Sequence, residues 1–503
     1  MSHSLHSAAI IGLKVEPVSV EADIAFGLKA FNIVGLPDRA VSEACGRVES
    51  AIKNSGFPFP RYKIIINLAP ANLKKQGPAY DLPIALCILF AEGHLKGKEL
   101  DNAIVIGELG LDGLVRHVDG VLPIALEAKK RGIDTIVVPL ENAQEAALVE
   151  GIRVIGVDHL KSIVAHIEGT SLIEATPITK ADFTPSTSKV HDMMYIKGQE
   201  RAKRALEIAA AGQHNILLSG PPGSGKTMLA RALPTILPEL TLFEALDITR
   251  VHSIAGKLRD RSLVVERPFQ APHHTTSGVA LIGGGTNPQP GQVSLAHRGV
   301  LFLDEFPEFT KNALENLRQP LEDGMITVSR AAGTAEFPAK FMLIAAMNPC
   351  PCGFASDPFH QCICTPTQIV KYQKKLSGPL LDRIDLHLEV PKIDIEQLTA
   401  LTDGECSADI RARVQSARNI QTARFVDSNL VSNTDMRSKD VKEFCAMAKD
   451  ASLILTTAAR SLHLSARAYI RIIKVSRTIA DLAGSEGIEL IHVTEALQFR
   501  ERG

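Results

Sequence analysis

The stretch that decides the fold is a glycine-rich loop in the middle of the chain, Gly220-Pro221-Pro222-Gly223-Ser224-Gly225-Lys226-Thr227. It matches the phosphate-binding pattern G-x-x-x-x-G-K-[ST] at every fixed position. Residues 215–219 predict a buried strand before it, and residues 228–233 predict a helix after it. Backbone N–H groups at such a turn favour phosphate oxygens, Lys226 is expected to reach the outer phosphates, and Thr227 to hold Mg²⁺. The alternative is a chance glycine turn, which does not require this flanking pattern.

A second motif is an apolar run that ends in two carboxylates, Gly299-Val300-Leu301-Phe302-Leu303-Asp304-Glu305. Such a run is typical of a strand buried on both faces of a parallel sheet. Asp304 is expected to hold Mg²⁺ through its water shell, and Glu305 to accept a proton from the water that attacks the γ-phosphate. Together with the phosphate loop, the pair predicts an ATP hydrolase rather than a switch-type GTPase.

The bulk composition narrows the class of protein. The chain has 503 residues, a hydrophobic fraction of 45% and a formal net charge of −1, so we expect about three domains and only local nucleic-acid patches. No apolar run has the length of a membrane span, and the first residues do not resemble a signal peptide. Eight cysteines in so long a chain predict no disulfide scaffold. We therefore expect a cytoplasmic protein without a membrane partner.

The order of predicted elements divides the chain into four parts. Residues 1–168 alternate strands and helices, residues 169–190 form a polar linker, residues 191–395 carry the ATPase motifs, and residues 396–503 are helical. The predicted fold class is α/β, with a phosphate-loop core built on a parallel sheet, a helical lid and a separate N-terminal α/β domain.

Taken in order, the motifs resemble the ComM (YifB) family of magnesium-chelatase-like AAA+ ATPases. The resemblance runs nearly end to end and implies a homo-hexameric motor that uses ATP and Mg²⁺. It also implies branch migration on single- and double-stranded DNA during natural transformation. Besides the two motifs above, it rests on Ile196-Lys197-Gly198-Gln199, Pro272-His273-His274-Thr275-Thr276, Asn348-Pro349, Leu381-Asp382-Arg383 and Ser465-Ala466-Arg467.

The same resemblance implies roles for single residues. Asn348 becomes the sensor that positions the attacking water, although an amide before proline is also a common cap. Arg383 becomes an arginine finger supplied to a neighbouring subunit; an ordinary salt bridge within its own segment is the alternative. Arg467 becomes the second sensor, unless it is simply a surface arginine. Ile196 and Met228 become contacts of the nucleotide.

Two segments are candidates for contact with DNA. Residues 278–285 form a glycine-rich insertion, which is expected to be a flexible loop directed to the ring pore. It is flanked by His273 and His274, which are candidate DNA contacts, and by Gln289-Pro290-Gly291. Residues 325–337 predict a β-hairpin, which resembles the pore hairpin of MCM helicases. Arg330 lies near its tip, where it can grip backbone phosphate or be a solvated turn residue.

Four cysteines have the spacing of a metal site. They occur as two C-x-C pairs around a polar loop, and four thiolates can bind Zn²⁺ tetrahedrally. Four free thiols are the alternative, because disulfides are rare in the cytosol. The residues are Cys350, Cys352, Cys362 and Cys364.

The N-terminal domain resembles the proteolytic domain of Lon without its chemistry. Ala79 stands where the Lon-like nucleophilic serine is expected, and Leu122 stands where the lysine is expected. Without a hydroxyl and an amine no Ser–Lys dyad forms. A structural or DNA-contacting role is therefore expected for this domain.

Four functions share these motifs. A DNA motor is favoured, and a protein remodeller of the magnesium-chelatase or MoxR type is the runner-up. An ATP-dependent protease is disfavoured by Ala79 and Leu122, and an ATP-gated clamp is disfavoured by Glu305 and Arg383. DNA-stimulated hydrolysis distinguishes the first two.

Overall fold

The computed structural model describes residues 3–179, 191–258, 261–285, 288–330, 333–393, 404–428 and 430–500. Two α/β units follow each other along the chain, and a helical segment follows them. The strands are β1 His3–Ile11, β2 Lys14–Ala25, β3 Ala30–Val34, β4 Lys63–Ala69, β5 Ala103–Val105, β6 Glu108–Leu109, β7 Val115–Arg116, β8 Thr135–Pro139, β9 Arg153–Val157, β10 Ile216–Ser219, β11 Phe269–Gln270, β12 Gly283–Gly284, β13 Gln289–Pro290, β14 Val300–Leu303, β15 Met325–Arg330, β16 Gly333–Pro338, β17 Met342–Met347 and β18 Leu386–Glu389.

The helices of the first two units alternate with these strands. They are α1 Arg39–Asn54, α2 Asp81–Ala91, α3 Val121–Lys130, α4 Ala143–Ala146, α5 Leu160–Ile167, α6 Glu200–Gly212, α7 Lys226–Ala232, α8 Leu242–Ile254, α9 Gly278–Ile282, α10 Gln292–Leu295, α11 Lys311–Asn316, α12 Arg318–Asp323, α13 Pro366–Gln373 and α14 Gly378–Leu381. The C-terminal segment contains α15 Ser407–Arg424, α16 Ser438–Phe444, α17 Lys449–Ser461, α18 Ala466–Leu482 and α19 Leu490–Leu497.

The first unit is built on a mixed seven-stranded sheet in the order β3-β4-β2-β1-β5-β8-β9. Its central antiparallel strands alternate buried and less buried residues, because successive side chains point to opposite faces. Helix α2 is apolar on every side, and nine of its residues, Asp81 among them, are buried, as expected for a helix inside a core. Asp81 is held by an ion pair with Arg47 of α1.

The second unit is built on a parallel five-stranded sheet in the order β11-β14-β17-β10-β18. All residues of β14 and β17 are buried, because a parallel sheet is covered by helices on both faces. The sheet agrees with the predicted phosphate-loop fold, and β10 lies between β17 and β18. The carboxyl ends of all five strands therefore meet at one edge.

The C-terminal helices share a hydrophobic core with this second unit. Residues of α15, α18 and α19 pack with the alanine-rich helix α6 and with β18 in one cluster. Buried Asp385 lies at the junction: it accepts from the backbone N–H of Asn215 at 2.9 Å, pairs with Arg471 of α18 and lies 3.6 Å from His214. The predicted boundary at residue 395 lies outside the described residues.

The N-terminal unit packs directly against the second unit. Helices α3 and α8 contribute to one hydrophobic cluster, and Ser253 of α8 donates to the Glu145 carboxylate at 2.5 Å. The two-residue turn between β1 and β2 also contacts the second unit, since Leu13 packs against the cluster that contains the hairpin β15–β16. The two units thus form one packed body.

The predicted linker is described only up to residue 179. Within this part, Thr176 and Thr179 donate backbone hydrogen bonds to Val154 and Ala147 of the N-terminal unit. Residues 180–190 lie outside the described residues. Among the helices of the described residues, none combines the length and apolar character needed to cross a bilayer.

Candidate functional site

The predicted site residues follow four neighbouring strands of the parallel sheet. The phosphate loop follows β10, Asp304 and Glu305 follow β14, Asn348 follows β17, and the two histidines come shortly after β11. Ser219 pairs with Met347, and Leu303 pairs with Ala345, so the strand ends are in register. Ligands of open α/β sheets bind in the crevice outside such carboxyl ends.

The phosphate loop turns through two glycines with positive φ, Gly223 at 75° and Gly225 at 92°, a conformation that other residues rarely adopt. Helix α7 begins at Lys226. The Lys226 ammonium donates to the carbonyl oxygens of Gly220 at 2.7 Å and Pro221 at 2.8 Å. Burial lowers its pKa. The loop therefore holds a partly desolvated cation next to the N-terminus of a helix, which suits phosphate.

The magnesium and base candidates lie beside this loop. The Thr227 hydroxyl donates to the Asp304 carboxylate at 3.0 Å, so the two proposed Mg²⁺ holders are already adjacent. Glu305 has a φ of 51°, which is uncommon for a residue with a side chain. Its carboxylate is about half exposed and lies 2.8 Å from Nδ1 of His274. The geometry thus places an imidazole on the proposed catalytic base.

The sensor candidate and one further side chain contact the same loop. The Asn348 side-chain oxygen lies 3.4 Å from the Lys226 ammonium. The Gln199 amide donates to the carbonyl of Pro391 at 2.7 Å and lies 3.4 Å from the carbonyl of Ser224. It therefore ties the start of α6 to the phosphate loop and to the end of the sheet. Ile196 is buried, and Met228 is more than half exposed on α7.

The two predicted arginines meet on one carboxylate. Arg383 is buried, donates to the carbonyl of Pro379 at 2.7 Å and pairs with Glu322 at the end of α12. Arg467, near the start of α18, is exposed and lies 3.1 Å from the same glutamate. Arg383 pairs with neither Asp382 nor Asp385. A role in a neighbouring subunit would require its guanidinium to leave Glu322, and this role stays a prediction.

The two segments assigned to DNA have defined backbones. Residues 325–330 and 333–338 pair as an antiparallel hairpin, as the sequence predicts. Arg330 is the last residue of β15; its side chain and the tip at residues 331–332 lie outside what is described. The insertion, expected as a flexible loop, instead contains α9 and β12, and β12 pairs antiparallel with β13, which follows the insertion. Ser277 caps α9, which explains the helix.

The four cysteines come together in the loop between β17 and α13. Their sulfur atoms all lie within 4.8 Å of one another. Three of the separations are short, at 3.4 Å between Cys350 and Cys352, 3.7 Å between Cys350 and Cys362, and 3.6 Å between Cys352 and Cys362. All four are free thiols rather than disulfides. The sequence predicts that the two C-x-C pairs approach each other, and the loop brings their four sulfur atoms together in this way.

The positions compared with a Lon dyad are apolar and covered. Leu122 is fully buried and Ala79 packs against the same cluster, to which α8 of the second unit contributes. The Leu122 backbone N–H donates to Glu145 at 2.8 Å. Burial raises the pKa of this glutamate, and its hydrogen bonds to Ser253, Leu122 and Asn142 oppose the rise. The resemblance to Lon remains a prediction, but this face serves as an interface between the two units.

Three contacts were missed in the sequence: His274 on Glu305, Gln199 on the phosphate loop, and Glu322 on both arginines. His274 was assigned to DNA because it flanks an insertion. The pairing of β11 with β14 could have indicated that residues after β11 lie near Glu305. No sequence signal identifies Glu322, because its two partners come from distant segments.

Comparison with known proteins agrees with this geometry. Three family models match the chain. The model 'Magnesium chelatase, subunit ChlI' matches residues 192–398, the model 'Subunit ChlI of Mg-chelatase' matches residues 20–142, and the model of the ChlI C-terminal part matches residues 404–500. The chain is 42% identical over 497 residues to the uncharacterized protein YifB of Escherichia coli, covering 99% of this chain and 96% of YifB. It is 44% identical over 499 residues to the competence protein ComM of Haemophilus influenzae, covering 99% and 97%. The chain therefore belongs to the YifB/ComM family of magnesium-chelatase-like AAA+ proteins.

Proposed function

We propose that the chain hydrolyses ATP as one subunit of a homo-hexameric ring and uses the energy to move DNA. In this proposal it is a branch-migration helicase that acts on recombination intermediates in natural transformation. ATP and Mg²⁺ are the cofactors that its family implies. The proposal of ATP hydrolysis rests on one observation: Lys226, the Thr227–Asp304 pair and Glu305 lie together at one edge of the parallel sheet.

In the proposed reaction the chain's own groups bind the phosphates of ATP, orient the attacking water and accept its proton. Lys226 and the loop N–H groups hold the outer phosphates, and Thr227 and Asp304 would hold Mg²⁺, which would supply charge neutralisation. Asn348 orients the attacking water, and Glu305 takes its proton as the water oxygen bonds to the γ-phosphorus. The bond between the γ-phosphorus and the bridging oxygen breaks, and ADP is the leaving group. A general base contributes about 10²–10⁴-fold to such a step.

Work on DNA is supported by the likeness to a competence protein over nearly all of both chains. The hairpin of β15 and β16 supports it further, since Arg330 is the last residue of β15 before the chain reverses into β16. The runner-up, a protein remodeller of the magnesium-chelatase or MoxR type, shares every ATPase residue. Only a dependence on DNA distinguishes them.

The test measures ATP turnover of the full chain with and without single-stranded or forked DNA. We expect DNA to raise turnover several-fold, Lys226→Ala to abolish ATP binding, and Glu305→Gln to bind ATP but turn over about 10²–10⁴-fold more slowly. Turnover of Glu305→Gln at the wild-type rate would show that the base is assigned wrongly. Turnover that ignores DNA but responds to a protein would favour the remodeller.

The hairpin is tested by Arg330→Ala, with Arg39→Ala on the exposed face of α1 as the matched control. Phosphate contacts carry no base information, so affinity should fall alike for all DNA sequences. The salt dependence should become shallower by about one counterion per lost contact. Basal turnover should persist, while strand displacement falls. Unchanged affinity and unwinding would move the DNA contact away from the hairpin.

A further inference from the structure

The strongest unassigned feature is the four-cysteine loop that directly follows Asn348. A tetrahedral Zn²⁺ with four thiolates at about 2.3 Å places its sulfurs about 3.8 Å apart. The three short sulfur–sulfur separations, 3.4, 3.6 and 3.7 Å, are close to that distance. They are far longer than a disulfide bond of about 2.0 Å. A polynuclear iron–sulfur cluster would hold its cysteines farther apart than one ion does.

The surrounding backbone is built for this convergence. Gly353 has a φ of 88° and donates its N–H to the carbonyl of Cys350 at 3.0 Å, which turns the chain back after the first pair. The side chain of Asp357 is buried, and it accepts from the backbone N–H groups of Phe359 at 2.7 Å and His360 at 3.2 Å. Hydrogen bonds within the loop between the two cysteine pairs thus hold that loop in its turned conformation.

The cysteine loop also touches the nucleotide site. Cys350 is fully buried and comes two residues after Asn348. A Cβ built on Gly353 would lie 2.7 Å from the ring of Pro222 in the phosphate loop and 3.9 Å from the side chain of Asn348. The turn that brings the cysteines together therefore packs against both the phosphate loop and the proposed sensor.

We propose that the four cysteines bind one structural Zn²⁺, and that this zinc loop holds Asn348 against the phosphate loop. All four positions of the ion are filled by protein sulfur, so the site is closed and supplies no chemistry of its own. Zinc then acts by position: without it, the segment after β17 is free to move Asn348 away from Lys226. The positional part rests on the proposed ATP hydrolysis, whereas the metal site does not.

The metal site is tested on the full chain purified without chelators and without added metal. Elemental analysis should find about one zinc per chain. Cys352→Ser/Cys364→Ser should lose it, while Cys45→Ser/Cys406→Ser, a matched change of two thiols outside the loop, should keep it. Replacing zinc by Co²⁺ should give the visible bands of a tetrahedral thiolate complex. Zinc near zero in a folded wild-type protein, with all four thiols reactive, would overturn the site whatever the ATPase does.

The positional role is tested with all four cysteines intact. Gly353→Ala meets Pro222 and adopts a strained φ, so it should retain zinc but lower turnover at saturating ATP about 10-fold or more. Gly132→Ala, with a φ of 70° and open space around it, is the matched control and should leave turnover unchanged. Wild-type turnover in Gly353→Ala, or in a folded zinc-free double variant, would overturn the coupling while the zinc count stands.

Discussion

At the residue scale, the site depends on which side chains follow the carboxyl ends of the strands in the parallel sheet. Thr227 meets Asp304 because α7 follows β10 and Asp304 follows β14, and both strands end at the same edge of the sheet. His274 reaches Glu305 for the same reason, since β11 is the strand next to β14. His273, its neighbour, instead contacts Thr275 at 2.9 Å. The two adjacent histidines thus have different hydrogen-bond or ion-pair partners, and their ring centroids lie 4.1 Å apart.

This difference predicts different effects of two matched substitutions. His274→Ala should lower ATP turnover about 3- to 10-fold without changing ATP affinity. Without its contact to His274, the Glu305 side chain has to be immobilised before it can act, and this has a free-energy cost of about 0.5–1.5 kcal/mol. His273→Ala should leave turnover nearly unchanged. Steady-state kinetics of both variants check this. Faster turnover in His274→Ala would mean that the imidazole withholds the base from water, and equal loss of DNA affinity in both would support the DNA assignment.

At the element scale, the junction between the sheet and the C-terminal helices rests on one buried carboxylate. Asp385 directly precedes β18, and its partners come from α18 and from the residues before β10. Burial by itself would raise its pKa, but Arg471 and His214 outweigh this and hold the pKa of Asp385 well below its usual range. Removing one partner of a buried pair leaves the other charge uncompensated.

We expect Asp385→Asn to destabilise the protein by about 3–5 kcal/mol, whereas Asp382→Asn, at the rim of the same turn, changes stability by less than about 1 kcal/mol. Because the folded pKa is lowered, this stabilisation is present above the unfolded value of about 3.9. It is lost as the pH falls below that value. Urea titrations of both variants between pH 7 and pH 3 check the expectation. Equal stability of wild type and Asp385→Asn at pH 7 would contradict it.

At the scale of the whole molecule, the N-terminal unit contacts the second unit at two separate places among the described residues. One is the face of α3 and α8 with Glu145 and Ser253. The other is the β1–β2 turn, where a Cβ on Gly12 would lie 2.9 Å from Cβ of Ala335 in the hairpin. Arg250 of α8 donates to the carbonyl of Leu13 at 2.6 Å. The turn is therefore fixed between α8 and the proposed DNA hairpin.

Gly12→Ala tests whether this contact positions the hairpin. Gly12 has a φ of 61°, and Gly56, with a φ of 82° and open space, is the matched control. In both variants the left-handed conformation of the new alanine destabilises the protein by about 1–2 kcal/mol, but only Gly12→Ala must also displace Ala335. We expect Gly12→Ala alone to reduce DNA-stimulated turnover at least about 3-fold, with basal turnover retained. Identical DNA stimulation in the two variants would show that the contact does not matter for the hairpin.

The proposed ring is tested through Arg383. Arg383→Ala should bind ATP but lose about 10³-fold or more in turnover if its guanidinium acts on a neighbour's phosphate. Mixing it with Lys226→Ala should restore part of the activity, since mixed interfaces pair an intact finger with an intact loop. Glu322→Gln, which releases Arg383 from its partner, should stay active. No recovery on mixing, with subunit exchange shown separately, would indicate a role within its own chain.

The sequence alone determined the phosphate-loop core, because a turn that binds phosphate and a doubly buried strand each require particular residue types at short spacing. It also predicted the β15–β16 hairpin and the convergence of four cysteines, both of which depend on local turns. Tertiary structure decided the partners that come from distant segments: Glu322 for two arginines, His274 for Glu305, and the turn at Gly12 for the hairpin. Such contacts depend on how sheets and helices pack, and a single chain's local pattern carries no record of that packing.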